Sequence, residues 1–119
     1  MLLRVLICES NKLSAILVSR LLALRGHQPT IVTPEEAAIR IKARTYDCLL
    51  IDTHQLPALV PFADRASVFA LTSLNSRETA AVCRAAGIER WLGKPVLAAE
   101  LWAALDSVVT EQPTCVVAP

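Results

Sequence analysis

The stretch YDCLLIDTHQ, from Tyr46 to Gln55, decides the fold that this chain is expected to adopt. An apolar run from Cys48 to Ile51 stops at one carboxylate, Asp52, and the residues that follow are polar. Such a run is typical of a strand buried on both faces of a parallel sheet. In open α/β sheets, ligands bind outside the carboxyl ends of the strands. Asp52 is therefore the first candidate functional residue.

The composition favours one compact domain. The chain has 119 residues, of which 54% are hydrophobic and 19% are charged, and its formal net charge is +1. This length supports a single core, and the balance of residues differs from that of disordered chains. A surface that binds nucleic acid normally shows a clustered basic excess. We therefore expect no nucleic-acid partner.

The apolar segments are too short to cross a bilayer. None approaches the ~20 residues that a membrane-spanning helix needs. Residues 1–4 lead directly into a strand-like run and lack the features of a signal peptide. We expect a cytoplasmic domain that makes no membrane contact.

The cysteines are interpreted as structural thiols. They are Cys8, Cys48, Cys83 and Cys115. No C-x-x-C pair occurs and no histidine lies at metal-ligand spacing, so neither a disulfide framework nor a zinc site is indicated. A reduced cysteine in a strand-like run behaves as a small hydrophobe.

Strand-like and helix-like patterns alternate along the chain. Strands are expected at residues 2–8, 28–32, 48–52, 67–71 and 88–93. Helices are expected at residues 11–25, 34–44, 76–86 and 98–109. Residues 56–62 contain Pro57 and Pro61, so at most one helical turn fits there. The apolar side chains of that segment either cover the sheet or form an exposed patch.

The alternation implies a doubly wound α/β domain with a parallel sheet and helices on both faces. Pro29 cannot donate to a ladder, which places the second strand at an edge. The flavodoxin-like strand order 2-1-3-4-5 fits best. In that order Glu9 and Ser10 face Asp52 across a crevice, and Thr72 and Lys94 arrive at the same edge.

These residue types suit phosphoryl chemistry. Mg²⁺ is usually bound through one or two carboxylates together with phosphate oxygens and waters. A lysine and a hydroxyl can take the remaining phosphoryl oxygens. A carboxylate in these surroundings can accept a phosphoryl group as an acyl phosphate.

The chain resembles the receiver domains of two-component response regulators, and particularly those of hybrid sensor histidine kinases. The resemblance covers residues 4–109 and rests on the stretches RVLICESNKL, YDCLLIDTHQLP, ALTS and AAGIERWLGKP. It implies a CheY-like fold for residues 1–109 and leaves residues 110–119 as a C-terminal linker or tail.

The resemblance also implies the roles of the site residues. Asp52 would be the phosphoacceptor, Mg²⁺ would be held by Glu9, Ser10, Asp52 and the backbone carbonyl of His54, and phosphate binding and switching would involve Thr72, Trp91, Lys94 and the cis proline Pro95.

The sequence departs from the family in three places. Ser10, which is also a candidate N-cap for the first helix, stands where the family has an aspartate that binds Mg²⁺. Mg²⁺ binding should therefore be weakened or lost. The segment between Asp52 and Thr72 is shorter than in the family, so the third helix should be shortened or missing. Trp91 is bulkier than the family's Tyr or Phe.

The resemblance implies a receiver module of a phosphorelay. Asp52 would accept a phosphoryl group from a histidine kinase or a histidine phosphotransfer domain. The signal would leave through the face that the fourth strand, the fourth helix, the fifth strand and the fifth helix form. A homodimer could form through the fourth helix, the fifth strand and the fifth helix. Such a module is not an enzyme by itself, although it can be part of a hybrid histidine kinase.

Four alternatives stay open. The domain could be a degenerate receiver that is not phosphorylated and acts as an interaction module, with Glu9 and Lys94 as a structural ion pair. Asp52 could simply cap a loop. A phosphatase with Asp52 as nucleophile would need a second acid where His54 stands. A nucleotide could bind at Arg40 and Arg44, although solvated charges are the simpler interpretation.

Both histidines, His27 and His54, are interpreted as solvated loop residues.

Overall fold

The strands form one parallel sheet. In the computed structural model, which describes residues 2–43, 46–63 and 67–111, the sheet has the order β2-β1-β3-β4-β5. The strands are β1 (Arg4–Cys8), β2 (Gln28–Ile31), β3 (Cys48–Asp52), β4 (Val68–Thr72) and β5 (Trp91–Gly93). All pairings are parallel. The predicted flavodoxin-like fold class is confirmed, with the second strand at an edge.

Helices connect the strands. They are α1 (Lys12–Leu24), α2 (Pro34–Lys42), α3 (Leu56–Leu59), α4 (Ser76–Ala86) and α5 (Ala98–Glu111). Thr33 and Glu36 form a capping box at the start of α2. Asn11, one residue after the expected Ser10, caps α1 by accepting a hydrogen bond from the Ser14 N–H. The Asn11 side chain can satisfy the first-turn donor, so Ser10 stays exposed.

Two apolar clusters cover the two faces of the sheet. One packs α1 and α5 against strand residues that include Ile7 and Leu50. The other packs α2, α3 and α4 against residues that include Leu6 and Ile51. Neighbouring strand residues point to opposite faces, which is why β3 is buried at every position. The helices thus leave the carboxyl edge of the sheet for the functional residues.

The segment after β3 covers the sheet with part of its apolar side chains. Two 3₁₀ turns, Thr53–Gln55 and Val60–Phe62, flank the four-residue helix α3. Leu56, Leu59 and Val60 are buried. Phe62 is 40% exposed, and Lys42 Nζ lies 4.5 Å from the centre of its ring. The prediction of a shortened third helix is confirmed.

Helix α5 is longer than expected and is tied to α1. It ends at Glu111 and not at Val109, so residues 110 and 111 are helical. The Trp102 indole N–H donates to the Leu21 carbonyl at 3.3 Å, and the Arg25 guanidinium lies 4.3 Å from the Trp102 ring centre. Residues 112–119 lie outside the described residues, so their assignment as a linker stays a prediction.

Two further expectations concern the ends of elements and the membrane. Helix α2 ends at Lys42, and Arg44 lies outside the described residues, so the proposed pair of arginines is untested. The Arg40 guanidinium donates to the Tyr46 hydroxyl at 3.0 Å. Across the described ranges, no helix is both long enough and apolar enough to traverse a bilayer.

Candidate functional site

The carboxyl edge of the sheet gathers the predicted residues from four strand ends. Asp52 ends β3 and Thr72 ends β4. Glu9 directly follows β1, and Lys94 directly follows β5. Cys8 pairs with Ile51, and Thr72 pairs with Gly93, so these ends are at the same level. The register therefore brings the two acids and the lysine together, as the strand order predicted.

Lys94 links the two carboxylates. Its Nζ lies 2.7 Å from Glu9 Oε2 and 3.0 Å from Asp52 Oδ2. The contact with Glu9 is an ion pair and not an aligned hydrogen bond. The Glu9 side chain is completely buried, and 4% of the Asp52 side chain is exposed. Buried carboxylates are costly unless they are paired, so this cation is needed for the site to be stable.

The other oxygen of Asp52 is held by the turn that follows it. Oδ1 accepts from the His54 backbone N–H at 2.9 Å and lies 3.0 Å from His54 Nδ1. The Thr53 hydroxyl is at 3.5 Å. Asp52 thus caps a 3₁₀ turn, so the loop-capping alternative is realised within the same site.

The interpretation of the two histidines as solvated loop residues holds for the exposure of His54 and is wrong for His27. The His54 side chain is 77% exposed, yet its ring contacts Asp52. The D-x-H spacing could have signalled this, because an aspartate commonly bonds to the residue two positions on. His27 is half-buried, and its Nδ1 accepts from the Leu3 N–H at 3.0 Å.

The pKa values of the site groups follow from burial and pairing. Burial raises the pKa of Glu9, although Lys94 opposes the shift. Burial also acts to raise the pKa of Asp52, but its interactions with Glu9, His54 and Lys94 outweigh burial and hold that pKa well below its usual range. Burial acts to lower the pKa of Lys94, and its two carboxylate partners raise it overall. Asp52 is therefore an ionised carboxylate beside a charged ammonium at neutral pH.

The Thr72 side chain points to α4. Its hydroxyl accepts from the Leu74 N–H at 2.9 Å and lies 2.9 Å from the hydroxyl of Thr79. Both threonines are buried. The sequence reasoning did not identify Thr79. The available signal was a polar residue one turn before Cys83, on the face of α4 that packs on the sheet.

The remaining predicted residues lie at the surface of the site. The Lys94–Pro95 peptide bond is cis. Trp91 is on β5 and is 40% exposed. Ser10 is exposed beside Glu9.

Comparison with known proteins gives structural relatives but no relatives by sequence. No family model matches the chain, and no curated protein matches it. Solved receiver structures do. A CheY-like receiver domain protein from Methanospirillum hungatei JF-1 superposes with a TM-score of 0.79 at 20% identity, covering 96% of this chain and 98% of that one. The chain has the fold of response-regulator receiver domains.

Other structures with the receiver fold are similar over nearly the whole chain. The chemotaxis protein CheY4 from Vibrio cholerae has a TM-score of 0.74 at 20% identity, covering 91% of this chain and 99% of that one. The receiver domain of sensor histidine kinase PA1611 from Pseudomonas aeruginosa PAO1 has a TM-score of 0.75 at 23% identity, covering 93% of this chain and 100% of its own. That structure has a magnesium ion coordinated in the active site cleft.

The donor set of this receiver fold suits a weakly bound Mg²⁺. Within the described residues, no group of three His, Cys, Asp or Glu side chains is arranged to hold a metal. Two carboxylates remain, Glu9 and Asp52, and Mg²⁺ needs only one or two when waters and phosphate oxygens complete its shell. A groove of about 270 Å³ lies beside Glu9 and Ser10, and neither Asp52 nor Lys94 is among the residues that line it. Because Lys94 occupies both carboxylates, an incoming cation must compete with it.

Proposed function

We propose that this domain is the receiver module of a two-component phosphorelay, with Asp52 as the phosphoacceptor. The observation that carries the proposal is the Asp52 carboxylate at the end of β3, 3.0 Å from Lys94 Nζ, at the carboxyl edge of a receiver fold. The donor is the phosphohistidine of a histidine kinase or of a histidine phosphotransfer domain. We further propose that the domain is cytoplasmic and serves a hybrid sensor kinase.

The chemistry is a phosphoryl transfer between two nucleophiles. An Asp52 oxygen attacks phosphorus, the bond from phosphorus to the imidazole nitrogen of the donor breaks, and an acyl phosphate forms. The low pKa of Asp52 keeps this oxygen unprotonated and ready to attack. Lys94 is close enough to neutralise an oxygen of the transferred group.

A divalent cation would add to this arrangement. Bound Mg²⁺ would stabilise the charge on the phosphoryl oxygens. Glu9, Asp52 and the backbone carbonyl of His54 would hold it, without the carboxylate that Ser10 replaces. We expect weak binding, because a neutral hydroxyl is a poor substitute for a carboxylate around a hard dication.

The signal arises from the new charge at Asp52. A phosphoryl dianion competes with the carboxylates for Lys94 and attracts the hydroxyl of Thr72. Thr72 ends β4 and Lys94 follows β5, so a movement of their side chains reaches the face that α4, β5 and α5 form. Trp91 and Leu97 are exposed on or next to this face, at 40% and 57%, and offer apolar contacts to a partner or a second copy.

The surface of α1 supports docking of a phosphoryl donor. This helix starts three residues after Glu9, so its first turns border the site. Leu13 is 80% exposed, and Ile16 and Leu17 are 44% and 40% exposed. Helix α1 contains no acidic residue and includes Lys12 and Arg20. An apolar helix face with acidic surroundings is the partner surface that complements it.

The test is covalent or analogue modification of the isolated domain. Acetyl phosphate or beryllofluoride is added with Mg²⁺, and intact mass and tryptophan fluorescence are recorded. The matched control is Asp52→Asn, which removes the nucleophile and keeps the size of the side chain. An adduct or a saturable fluorescence change that the control lacks supports the proposal. A folded wild-type domain that gives neither would contradict it.

A second candidate, an interaction module that is not phosphorylated, is favoured by one observation. Oxygens of Asp52 and Glu9 are already occupied within the protein, by Lys94, by the turn at His54 and by the Asn11 N–H. Together with the serine at position 10, this internal pairing could keep the crevice closed. A folded domain that shows no Mg²⁺ response and no adduct would favour this module over the phosphoacceptor.

A further inference from the structure

The hydroxyl of Thr79 holds the hydroxyl of Thr72 against α4. We propose that Thr79 is a positioning residue that retains Thr72 in the unphosphorylated domain and releases it when a phosphoryl group binds at Asp52. The proposal rests on the proposed function, since it assigns a second state to the same site. It makes the first turns of α4 directly sensitive to occupancy at Asp52.

The hydrogen bonds around the two threonines carry the argument. Thr72 Oγ1 lies 2.9 Å from Thr79 Oγ1, and it accepts from the Leu74 N–H at 2.9 Å. Thr79 Oγ1 is 3.4 Å from the Leu74 carbonyl, which completes a closed ring of polar groups. In the part of the chain that the structure describes, the Thr72 hydroxyl bonds to these groups and not to Asp52 or Lys94.

Proton accounting selects one direction for the shared bond. Each hydroxyl has one proton and two lone pairs. If Thr79 donates to Thr72, the Thr72 proton has no acceptor among these buried groups. If Thr72 donates to Thr79, then Thr79 can donate to the Leu74 carbonyl, and both protons are placed. Buried hydroxyl protons are normally satisfied, so the second direction is the one expected. The Thr72 proton is therefore held by Thr79.

The backbone keeps Thr72 close to the groups that would receive a phosphoryl group. The Lys94 N–H donates to the Thr72 carbonyl at 2.8 Å, and Asp52 pairs with Leu71, the residue before Thr72. The side chain of Thr72 can thus be drawn to the site without a change in strand pairing. Its departure breaks the bond to Thr79, whose backbone N–H is bonded to the Asn75 carbonyl at the start of α4.

The decisive experiment compares Thr79→Val with Thr79→Ser. Valine matches threonine in shape but cannot accept the Thr72 proton, whereas serine keeps the hydroxyl. The measured quantity is the Kd for beryllofluoride at saturating Mg²⁺, obtained from the change in tryptophan fluorescence. We expect Thr79→Val to bind about five-fold more tightly than wild type, because the free state alone loses a hydrogen bond worth about 1 kcal/mol. Thr79→Ser should bind like wild type.

Two outcomes overturn the proposal in this comparison. Weaker binding by Thr79→Val would mean that Thr79 orients Thr72 toward the phosphoryl group. Equal binding by wild type and Thr79→Val would mean that the bond is not broken on binding.

A second measurement does not depend on the ligand. A double-mutant cycle of Thr72→Val and Thr79→Val on urea unfolding should show non-additivity of about five-fold in the unfolding constant. Additive effects would overturn the proposal, because the two hydroxyls would not then interact. If wild type does not bind beryllofluoride, the proposed function fails, and the release step fails with it. If wild type binds beryllofluoride, Asp52→Asn does not, and Thr79→Val binds like wild type, the proposed function stands and only the release step is overturned.

Discussion

Lys94 Nζ lies 2.7 Å from Glu9 Oε2, and the same ammonium lies 3.0 Å from Asp52. One cation thus serves two carboxylates that are almost completely buried. Removing it leaves two uncompensated charges, and a metal dication is the natural replacement. Electrostatic stability is therefore linked to the proposed metal binding at this site.

The first prediction concerns Lys94→Met, which removes the charge and keeps an unbranched chain. We expect the free energy of unfolding to fall by about 3 kcal/mol, because a partner is removed from a buried ion pair. Mg²⁺ should restore part of the loss, since the dication replaces the ammonium between the carboxylates. Urea unfolding with and without Mg²⁺ measures both effects, and Lys94→Arg is the control that retains the charge. A variant as stable as wild type without Mg²⁺ would contradict this account.

The second prediction concerns Ser10→Asp, which supplies a third carboxylate at the edge of the site. We expect Mg²⁺ to bind about ten-fold more tightly, because a charged oxygen is a better ligand for a hard dication than a hydroxyl. Titration of Mg²⁺ followed by tryptophan fluorescence or calorimetry gives the Kd. Ser10→Asn adds a neutral side chain of similar size and should leave the Kd near the wild-type value. If both variants bind Mg²⁺ like wild type, position 10 is not part of the site.

The third prediction concerns alkaline pH and the buried thiol of Cys48. Burial raises the pKa of this thiol from 9.0 to about 12. In the unfolded chain the thiol ionises near its ordinary pKa, whereas in the folded domain it stays protonated. This group therefore favours folding fully below pH 9, and its contribution is lost as pH rises from about 9 to 12. Between pH 7 and pH 10, the free energy of unfolding of wild type should fall by about 1 kcal/mol more than that of Cys48→Ala.

The measurement is urea unfolding of both proteins at pH 7, 9 and 10. The cavity left by Cys48→Ala costs stability at every pH and cancels in the comparison. Parallel pH dependence of the two proteins would show that Cys48 does not contribute.

The fourth prediction concerns the contact between α1 and α5. Trp102→Phe removes the indole N–H that donates to Leu21 and weakens the contact with Arg25. We expect the free energy of unfolding to fall by about 1–2 kcal/mol. The matched variant is Trp91→Phe, which changes a tryptophan that is 40% exposed and should have little effect. Equal losses in the two variants would mean that the contacts of Trp102 contribute nothing specific.

The fold could be predicted because its signals are local. Buried strands read as apolar runs, the capping box at Thr33 marks a helix start, and Pro29 marks an edge strand. Together these features leave few strand orders, of which 2-1-3-4-5 fits best. The predicted ends of the helices and strands were less accurate than the predicted order of the elements. Helix α5 continues to Glu111, because nothing in its sequence before Pro113 prevents another half turn.

The site could be predicted as a set of residues but not as a network. Strand ends in a parallel sheet must meet at one edge, so the meeting of Glu9, Asp52 and Lys94 followed from the order of the strands. The direction of each side chain did not. Thr72 turns to Thr79 in α4, and the His54 ring turns to Asp52.

The sequence by itself indicated the strand order, the edge where the charged groups collect and the shortening of α3. Each of these features depends on a signal that is local in the chain, namely the period of the apolar residues, the positions of the prolines and the length of the segment between two strands. Tertiary structure alone decided that one lysine serves both carboxylates and that a threonine hydroxyl is held by a helix. Those contacts join residues up to 85 positions apart, as between Glu9 and Lys94. The distances in these contacts depend on how the helices and strands pack and on the direction in which each side chain points. The spacing of residues along the chain does not contain that information.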